Sequence, residues 1–422
     1  MTLEERIAQR VAAMSYEDVD VDLLHVLKRN ILDSYAGICG SLADTAMLEN
    51  FDRLAVDPLA AGDVPVWGID RRAGLADAVF MNAILGRRSD LLDTYLSPNG
   101  MGGCHPSDNV ALALTLARHL SSGGRELIES VLVAFTSSAA FSTHYDPESA
   151  NYDHDAAAPF YTALTIGRAL GLESEELARA QRIAGMLGLD TNQAALGQVT
   201  DWKHCTYASG AMRAVQAVKL ARAGFDAPPE IYEGAAGVDR FFPHADEFFH
   251  PPVDLSRIIF KRWPALVFCQ TPIDVALDLA GQLPEGAAIA SVHVETFALA
   301  LRNGGGESAA RPTSRAGRTH SIPYCVATAL LKPIEYTDFD EPRSRDPDVL
   351  ALLDKVRVSE DPVLTAAYPA SSPCVITLTL SDGTTLSARR EVPIGDPTDP
   401  LSDDQLSDKL RQYFAFARSQ AE

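Results

Sequence analysis

The sequence predicts a mainly α protein, with a large all-helical domain and a smaller α/β domain. Three observations lead there. Apolar residues recur at helical spacing up to about His250, strand-like alternation is confined to the region beyond Pro251-Pro252, and the tail returns to a helical pattern. At 422 residues the chain exceeds one average domain, so two domains are expected. The helical domain is placed at 1–255, completed by a C-terminal helix at 400–422, and the α/β domain at 256–399.

The elements follow in order. MTLEERIAQRVAAM reads as an amphipathic helix carrying Glu4 and Glu5, not as a signal peptide. Val21–Leu42 has helical spacing, and the small residues of its DSYAGICGSL end let helices approach closely. Ala73–Leu85, Ser107–Leu120, Arg125–Phe141, Ala156–Leu170 and Ser174–Leu189 repeat the pattern. Ser107 is a candidate N-cap, Gly171 a candidate C′ residue, and Ser174-Glu-Glu a start with acids in the first turn. Gly210–Ala223 ends at Gly224. In the second domain Ala288–Leu301 alternates like a strand, and Val375–Leu380 and Thr385–Arg389 flank Asp382-Gly383, a hairpin signal. Helices are expected at Ile273–Ala280, Pro323–Leu331 and Pro347–Lys355, and Ser402–Ala417 closes the chain from a Ser-Asp-Asp start. Asn303-Gly-Gly-Gly reads as a flexible loop tip or hinge; it lacks the Lys-Ser/Thr continuation of a phosphate loop.

Thirty-six basic against 57 acidic side chains give a net charge of −21. Such a surface repels phosphate backbones and anionic lipid, so neither nucleic acid nor membrane is an expected partner. An anionic substrate would need Lys, Arg and His gathered locally against that background. No apolar run approaches the ~20 residues of a membrane span. Six cysteines form no Cys-x-x-Cys pair and no zinc spacing with histidine. Some lie in apolar runs, as Cys39 does, which fits a reduced, cytoplasmic environment.

Chemistry-bearing residues concentrate at helix boundaries. Asp90 and Asp93 in Ser89-Asp-Leu-Leu-Asp-Thr-Tyr precede Gly100-Met-Gly-Gly-Cys-His-Pro-Ser, whose glycines let backbone N–H groups approach an anion. His105 then stands ahead of a helix N-terminus, where carboxylates are favoured. The plainer alternative makes the two aspartates caps and His105 a turn residue. In Tyr152-Asp-His-Asp, a flanking aspartate can orient the His154 imidazole, as acid–base histidines require; a solvated loop histidine is the alternative. Lys203, beside Trp202 and a following helix, and Lys261, within Ile258-Ile-Phe-Lys-Arg-Trp-Pro, suit partly desolvated ammonium groups that bind carboxylate. Either lysine can instead snorkel to the surface. Arg318, His320 and Tyr324 come together at a helix start. No Gly-x-Ser-x-Gly or His-Glu-x-x-His is present, and the Asp and His spacings match no standard metal site.

Seven short motifs, in this order, resemble the MmgE/PrpD family: Asp90–Thr94, His105-Pro-Ser, Tyr152-Asp-His, Trp202-Lys, Ile231-Tyr-Glu-Gly, Lys261-Arg-Trp-Pro and His320-Ser-Ile-Pro-Tyr. The family includes 2-methylcitrate dehydratase, cis-aconitate decarboxylase and iminodisuccinate epimerase. The resemblance runs from Lys28 to Ser402. It implies a helical domain with an α/β lid, a homodimer, no metal or other cofactor, and a small di- or tricarboxylate substrate. Its active-site residues fall on Asp90, Thr94, His105, His154, Lys203, Lys261 and Tyr324. Asp93, Gln270, Arg318 and His320 are added as substrate-binding candidates. Two positions depart from the family pattern: Arg87 and Phe268 stand where relatives carry histidine. The nearest branch is the dehydratase, an enzyme of propionate metabolism. On this reading the two lysines and one protonated histidine stabilise an aci-carboxylate, while His105, His154 or Tyr324 abstracts the α-proton and another of them protonates the leaving hydroxyl. Removing either lysine is expected to leave folding intact, since an unpaired cation is no asset to a core.

Overall fold

Helix formation in the first domain follows from local caps and apolar faces. In the computed structural model, which describes residues 1–98, 100, 103–145, 151–194, 199–238, 248, 253–341 and 343–421, Asp20 accepts from Leu23 N at 2.8 Å and opens helix α2. The helices of this part are α1 (Leu3–Ala12), α2 (Val21–Ser41), α3 (Thr45–Ala55), α4 (Leu75–Arg88), α5 (Asp108–Leu120), α6 (Gly124–His144), α7 (Ala158–Ala169), α8 (Ser174–Met186) and α9 (Thr206–Arg222). Gly171 (φ +72°) and Gly224 (φ +86°) end α7 and α9. At each, the N–H of the glycine and that of the next residue return to the helix, Gly171 to Arg168 O and Leu172 to Gly167 O in the first case. This is a Schellman closure, which needs a left-handed residue at C′.

Two short antiparallel pairs, β1 (Val64–Val66) with β2 (Arg71–Ala73) and β3 (Tyr95–Leu96) with β4 (Gly103–Cys104), were not foreseen; two or three residues are too few to show alternation. Ser107 stands at the cap position of α5, but its N–H and hydroxyl both donate to Asp93 Oδ1 (3.1 and 2.6 Å), so it does not cap its own helix.

The second part holds a four-stranded sheet in the order β6-β5-β7-β8, made of β5 (Ile289–Thr296), β6 (Val356–Glu360), β7 (Cys374–Leu380) and β8 (Thr385–Arg390). β5 runs parallel to β6 and antiparallel to β7. The hairpin turns at Gly383 (φ +88°). β7 buries alternate residues, the period-2 signature of one covered face. The predicted strand Ala288–Leu301 stops at Thr296: Phe297 is buried against Tyr368 (ring centroids 4.7 Å apart) and caps a helical turn that begins at Ala298. β6, a short edge strand reading VRVSE, was missed.

The helices of this part are α10 (Val267–Ala280), α11 (Ala298–Ala300), α12 (Arg315–Thr319), α13 (Ile322–Ala329), α14 (Pro347–Leu353) and α15 (Pro362–Ala367); α10 packs on β7 and β8, α13 on β6 and α15 on β5, while α12 and α14 pack on α13. α10 begins six residues earlier than expected and accommodates Pro272. The Asn303 glycine run is not a free tip: it lies in a π-turn, Leu301–Gly305, where a Cβ on Gly304 would meet Leu266 and Ile322 side chains at 3.2 Å.

α16 (Asp403–Ala421) returns to the helical part and packs along α2. Leu401 and Leu406 join Leu27, Ile258 and Phe260 in a shared core, so the tail seals the junction of the two parts. The composition shift at Pro251-Pro252 lies outside the described residues. Among the described residues, no helix is long and apolar enough to cross a membrane.

Candidate active site

The junction gathers the ionisable residues that the sequence scatters. After α4 the chain turns sharply at Asp90, which adopts φ +57°. A non-glycine residue held there is uncommon, and such strain is tolerated where surrounding contacts over-determine it. Those contacts come from across the junction. Lys261 Nζ donates to both Asp90 O and Asp90 Oδ1 at 3.1 Å, and His320 Nδ1 lies 3.4 Å from Asp90 Oδ2. Lys261 itself is fixed by its neighbours: Ile259 exchanges backbone hydrogen bonds with Thr94, and Phe260 N donates to Gly395 O. Gly395 (φ +102°) must be glycine, since a Cβ there would lie 1.9 Å from Phe260 O.

A second group faces the first. His105 Nδ1 is 2.5 Å from Asp93 O and 3.2 Å from Thr94 Oγ1. Its ring meets that of His154 edge-on, with centroids 5.7 Å apart. His154 Nδ1 is 3.0 Å from Lys203 Nζ, and Lys203 donates to Asp153 Oδ2 at 2.8 Å. On the other side of the ring, Arg87 places one guanidinium nitrogen 2.9 Å from His154 Nε2 and 3.1 Å from Asp155 Oδ2, while another bonds Asp108. The two groups are one electrostatic unit. His105 feels Arg87 and Lys261, and His320 feels Lys203 and Lys261.

Burial shapes the protonation states. It pushes His154 down to about 4, with Lys203 and Arg87 acting the same way against Asp155 and Asp153. Burial, Arg87, Lys261 and His154 hold His105 well below the usual imidazole value, and burial likewise lowers His320. Burial also lowers the Lys261 ammonium, with Asp90 opposing. For Asp90, burial is outweighed by Lys261, His320 and His204, and the carboxyl sits well below the ordinary range. The site is therefore a set of neutral imidazoles among ion-paired cations.

Some expectations are redirected. Lys203 is buried, but not by Trp202, which is 52% exposed; Asp153 and His154 enclose it instead. Neither lysine is unpaired, so the expectation that either can be removed without cost to folding does not hold. Asp93 is fully buried and braces the scaffold, accepting from Ser107 and from Asn30 Nδ2 (3.1 Å). Burial raises its carboxyl to about 7 despite the Ser107 bonds. Gln270 is engaged with the backbone of Trp263 and Ala265 at 3.0 Å. Arg318 Nε donates to Phe339 O at 2.7 Å, and the Tyr324 hydroxyl, in the core of the second part, donates to Asp338 O at 2.5 Å. Burial pushes that phenol up to about 12. Phe268 packs edge-on against Phe297.

Sequence reasoning missed the partners: Asp155 and Asp108 under Arg87, buried His204 beside Arg88 (3.2 Å), and Lys409 of α16, which donates to Asp33, Leu91 O and Lys261 O. Asp153, His154 and Asp155 lie close enough together to suit a cation. Their carboxylates, however, already face Lys203 and Arg87, with which a metal would have to compete.

A 2-methylcitrate dehydratase of Cupriavidus necator is 28% identical over 348 residues, covering 75% of this chain and 70% of its own length. A cis-aconitate decarboxylase of Homo sapiens is 24% identical over 406 residues, covering 91% of this chain and 82% of its own. A 2-methylcitrate dehydratase of Escherichia coli O157:H7 is 26% identical over 335 residues, covering 73% of this chain and 68% of its own. The MmgE/PrpD N-terminal domain matches residues 5–249 and the MmgE/PrpD C-terminal domain residues 263–422, so the chain belongs to the MmgE/PrpD family.

Proposed function

We propose that this protein is a cofactor-free lyase acting on a small di- or tricarboxylate, eliminating water after removal of a proton α to a carboxylate, as its relatives named 2-methylcitrate dehydratase suggest. One observation carries the reading. In a chain of net charge −21, Lys203, Lys261 and Arg87 converge with His105, His154 and His320 at one buried junction. Two Lys261 N–H groups go to Asp90, which leaves a third for a substrate carboxylate. Fixed cations in a dry site stabilise an aci-carboxylate far better than water does. An imidazole removes the proton, and a second, protonated as the anion binds, delivers one to the leaving hydroxyl.

A decarboxylase outcome on the same scaffold is the second reading, favoured by the 91% of this chain that aligns with the human cis-aconitate decarboxylase. A cytoplasmic homodimer is the assembly and location carried by this proposal. NMR of citrate, 2-methylcitrate and cis-aconitate with the protein in D₂O separates the outcomes: loss of water supports the dehydratase, and loss of CO₂ the decarboxylase. Deuterium exchange without either supports an epimerase, and no change in any acid supports a binding protein that has lost activity.

A further inference from the structure

The imidazoles of the junction differ in what lies behind each ring. His154 meets a cation at both nitrogens, Arg87 at Nε2 (2.9 Å) and Lys203 at Nδ1 (3.0 Å). His105 and His320 are held through Nδ1 alone. At His105 that nitrogen faces the Asp93 carbonyl at 2.5 Å and Thr94 Oγ1 at 3.2 Å. At His320 it faces Ala316 O at 2.9 Å and Asp90 Oδ2 at 3.4 Å. The Thr319 hydroxyl, 3.0 Å away, itself donates to Ala316 O. A carbonyl and a carboxylate only accept, so the neutral His320 ring carries its proton on Nδ1. Its Nε2 lone pair has no hydrogen-bond partner among the described residues. The backing of the two rings also differs in charge. Asp93 O is a neutral carbonyl, whereas Asp90 is a carboxylate that Lys261 holds ionised through Oδ1 (3.1 Å) while Oδ2 faces His320. An anion behind Nδ1 stabilises the imidazolium, as the aspartate of a serine-protease triad does.

We propose that His320 is the general acid of the reaction and that Asp90 is its positioning partner, a pair made across the two parts of the molecule. The acid role rests on the water-elimination reading above; the position of the ring proton does not. In the step it carries, a base takes the α-proton, and the C–O bond breaks as the C=C bond forms. His320 Nε2–H gives its proton to the departing hydroxyl, which leaves as water, and the ring regains a proton from solvent. The charged and titratable groups facing His320 are Asp90 from the turn after α4, Lys261 from the segment before α10, and Lys203 and His204 from the turn before α9. The two lysines oppose protonation of the ring in the free protein, and a bound carboxylate offsets them.

His320→Asn separates an acid from a structural residue, since its amide can keep the bond to Ala316 O but has no proton to give up at the Nε2 position. Full-length wild type and variant are compared across pH on whichever acid loses water in the D₂O screen. The folded variant should lose kcat at least roughly a hundredfold, and with it the basic limb of the kcat profile, which reports the acid losing its proton. A kcat within a few-fold of wild type, or a lowered kcat with the basic limb unchanged, overturns the proposal. If the asparagine variant does not fold, His320→Gln is measured in its place. The nitrogen spectrum of histidine-labelled wild type, without substrate at neutral pH, is read separately. His320 should show a protonated Nδ1 and a bare Nε2, and a protonated Nε2 overturns the pairing with Asp90. Wild-type protein that releases water from none of the acids refutes the water-elimination reading and the acid role together, whereas wild-type turnover kept by the variant refutes the acid role alone.

Discussion

Replacing Lys261 by methionine tests how tightly the site and the fold are joined. Lys261 is 1% exposed, and its ammonium meets Asp90 Oδ1 at 3.1 Å. At an effective dielectric of ~20, two unit charges at that distance attract by about 5 kcal/mol. The methionine variant removes this attraction but leaves the Asp90 carboxylate buried beside the junction. Breaking one partner of a buried pair typically costs about 3–5 kcal/mol, and that is the expected loss at pH 7. Asp90→Asn should also destabilise, while Asp90→Asn with Lys261→Met should lose clearly less than the sum, since no orphaned charge remains. The pH dependence follows from Asp90, whose carboxyl is lowered in the folded state. Its contribution is present above the unfolded value of about 3.9 and is lost as pH falls through the lower folded value. The gap between wild type and Asp90→Asn should thus stay flat from about pH 5 to 8 and close in stronger acid. Urea melts followed by circular dichroism measure each variant, read as midpoint shifts at constant slope. A Lys261→Met loss under about 1 kcal/mol, or additive single changes, would refute the coupling between the strained Asp90 turn and the lysine.

Three further outcomes are expected. Lys203→Met should lower kcat/KM at least roughly a hundredfold, the scale of losing one charge-stabilising donor, with kcat itself falling; turnover assays with the substrate identified by NMR check this, and near-normal kcat excludes the lysine from the transition state. The low value of His105 keeps it unprotonated in the free protein, and substrate carboxylates should raise it, so the acid limb of kcat should lie at higher pH than that of kcat/KM; coincident limbs would count against His105 as base. Activity should survive exhaustive treatment with EDTA, because Lys203 and Arg87 already neutralise the carboxylates best placed for a cation; loss on chelation with recovery on one particular metal would show the site misread.

The parts of the fold legible in the sequence were those with local causes. The left-handed Gly171, Gly224 and Gly383 each sit where a cap or hairpin signal placed them, and the long helices announced themselves by apolar spacing. β6 and the two-residue strands carry too little pattern to be read, and Phe297, where β5 ends, stacks on Tyr368, a tertiary contact that no local rule contains. The site divides the same way. His105, His154, Lys203 and Lys261 were visible as ionisable groups beside helix boundaries, whereas the ion-pair partners of the two lysines come from 50 and 171 positions away, Asp153 for Lys203 and Asp90 for Lys261. Nothing local in the sequence shows that Gln270 and Arg318, read as substrate-binding candidates, also bond the backbone, Gln270 at Trp263 and Ala265 and Arg318 at Phe339.

The ammonium of Lys409 bears on the order of events during synthesis. It reaches from α16 to Asp33, Leu91 O and Lys261 O, beneath both sides of the Asp90–Lys261 contact. Lys409 follows Lys261 by 148 positions, which at ordinary translation rates is a delay of roughly 7–30 s. Over that interval a nascent chain holds Lys261 and Asp90 without the clamp that seats them. The junction, unsealed by Leu401 and Leu406, exposes apolar surface to chaperones and to neighbouring chains. A ribosome that stalls in this window would hold a helical part still lacking α16, its partner along α2, with an unfinished centre and an open seam.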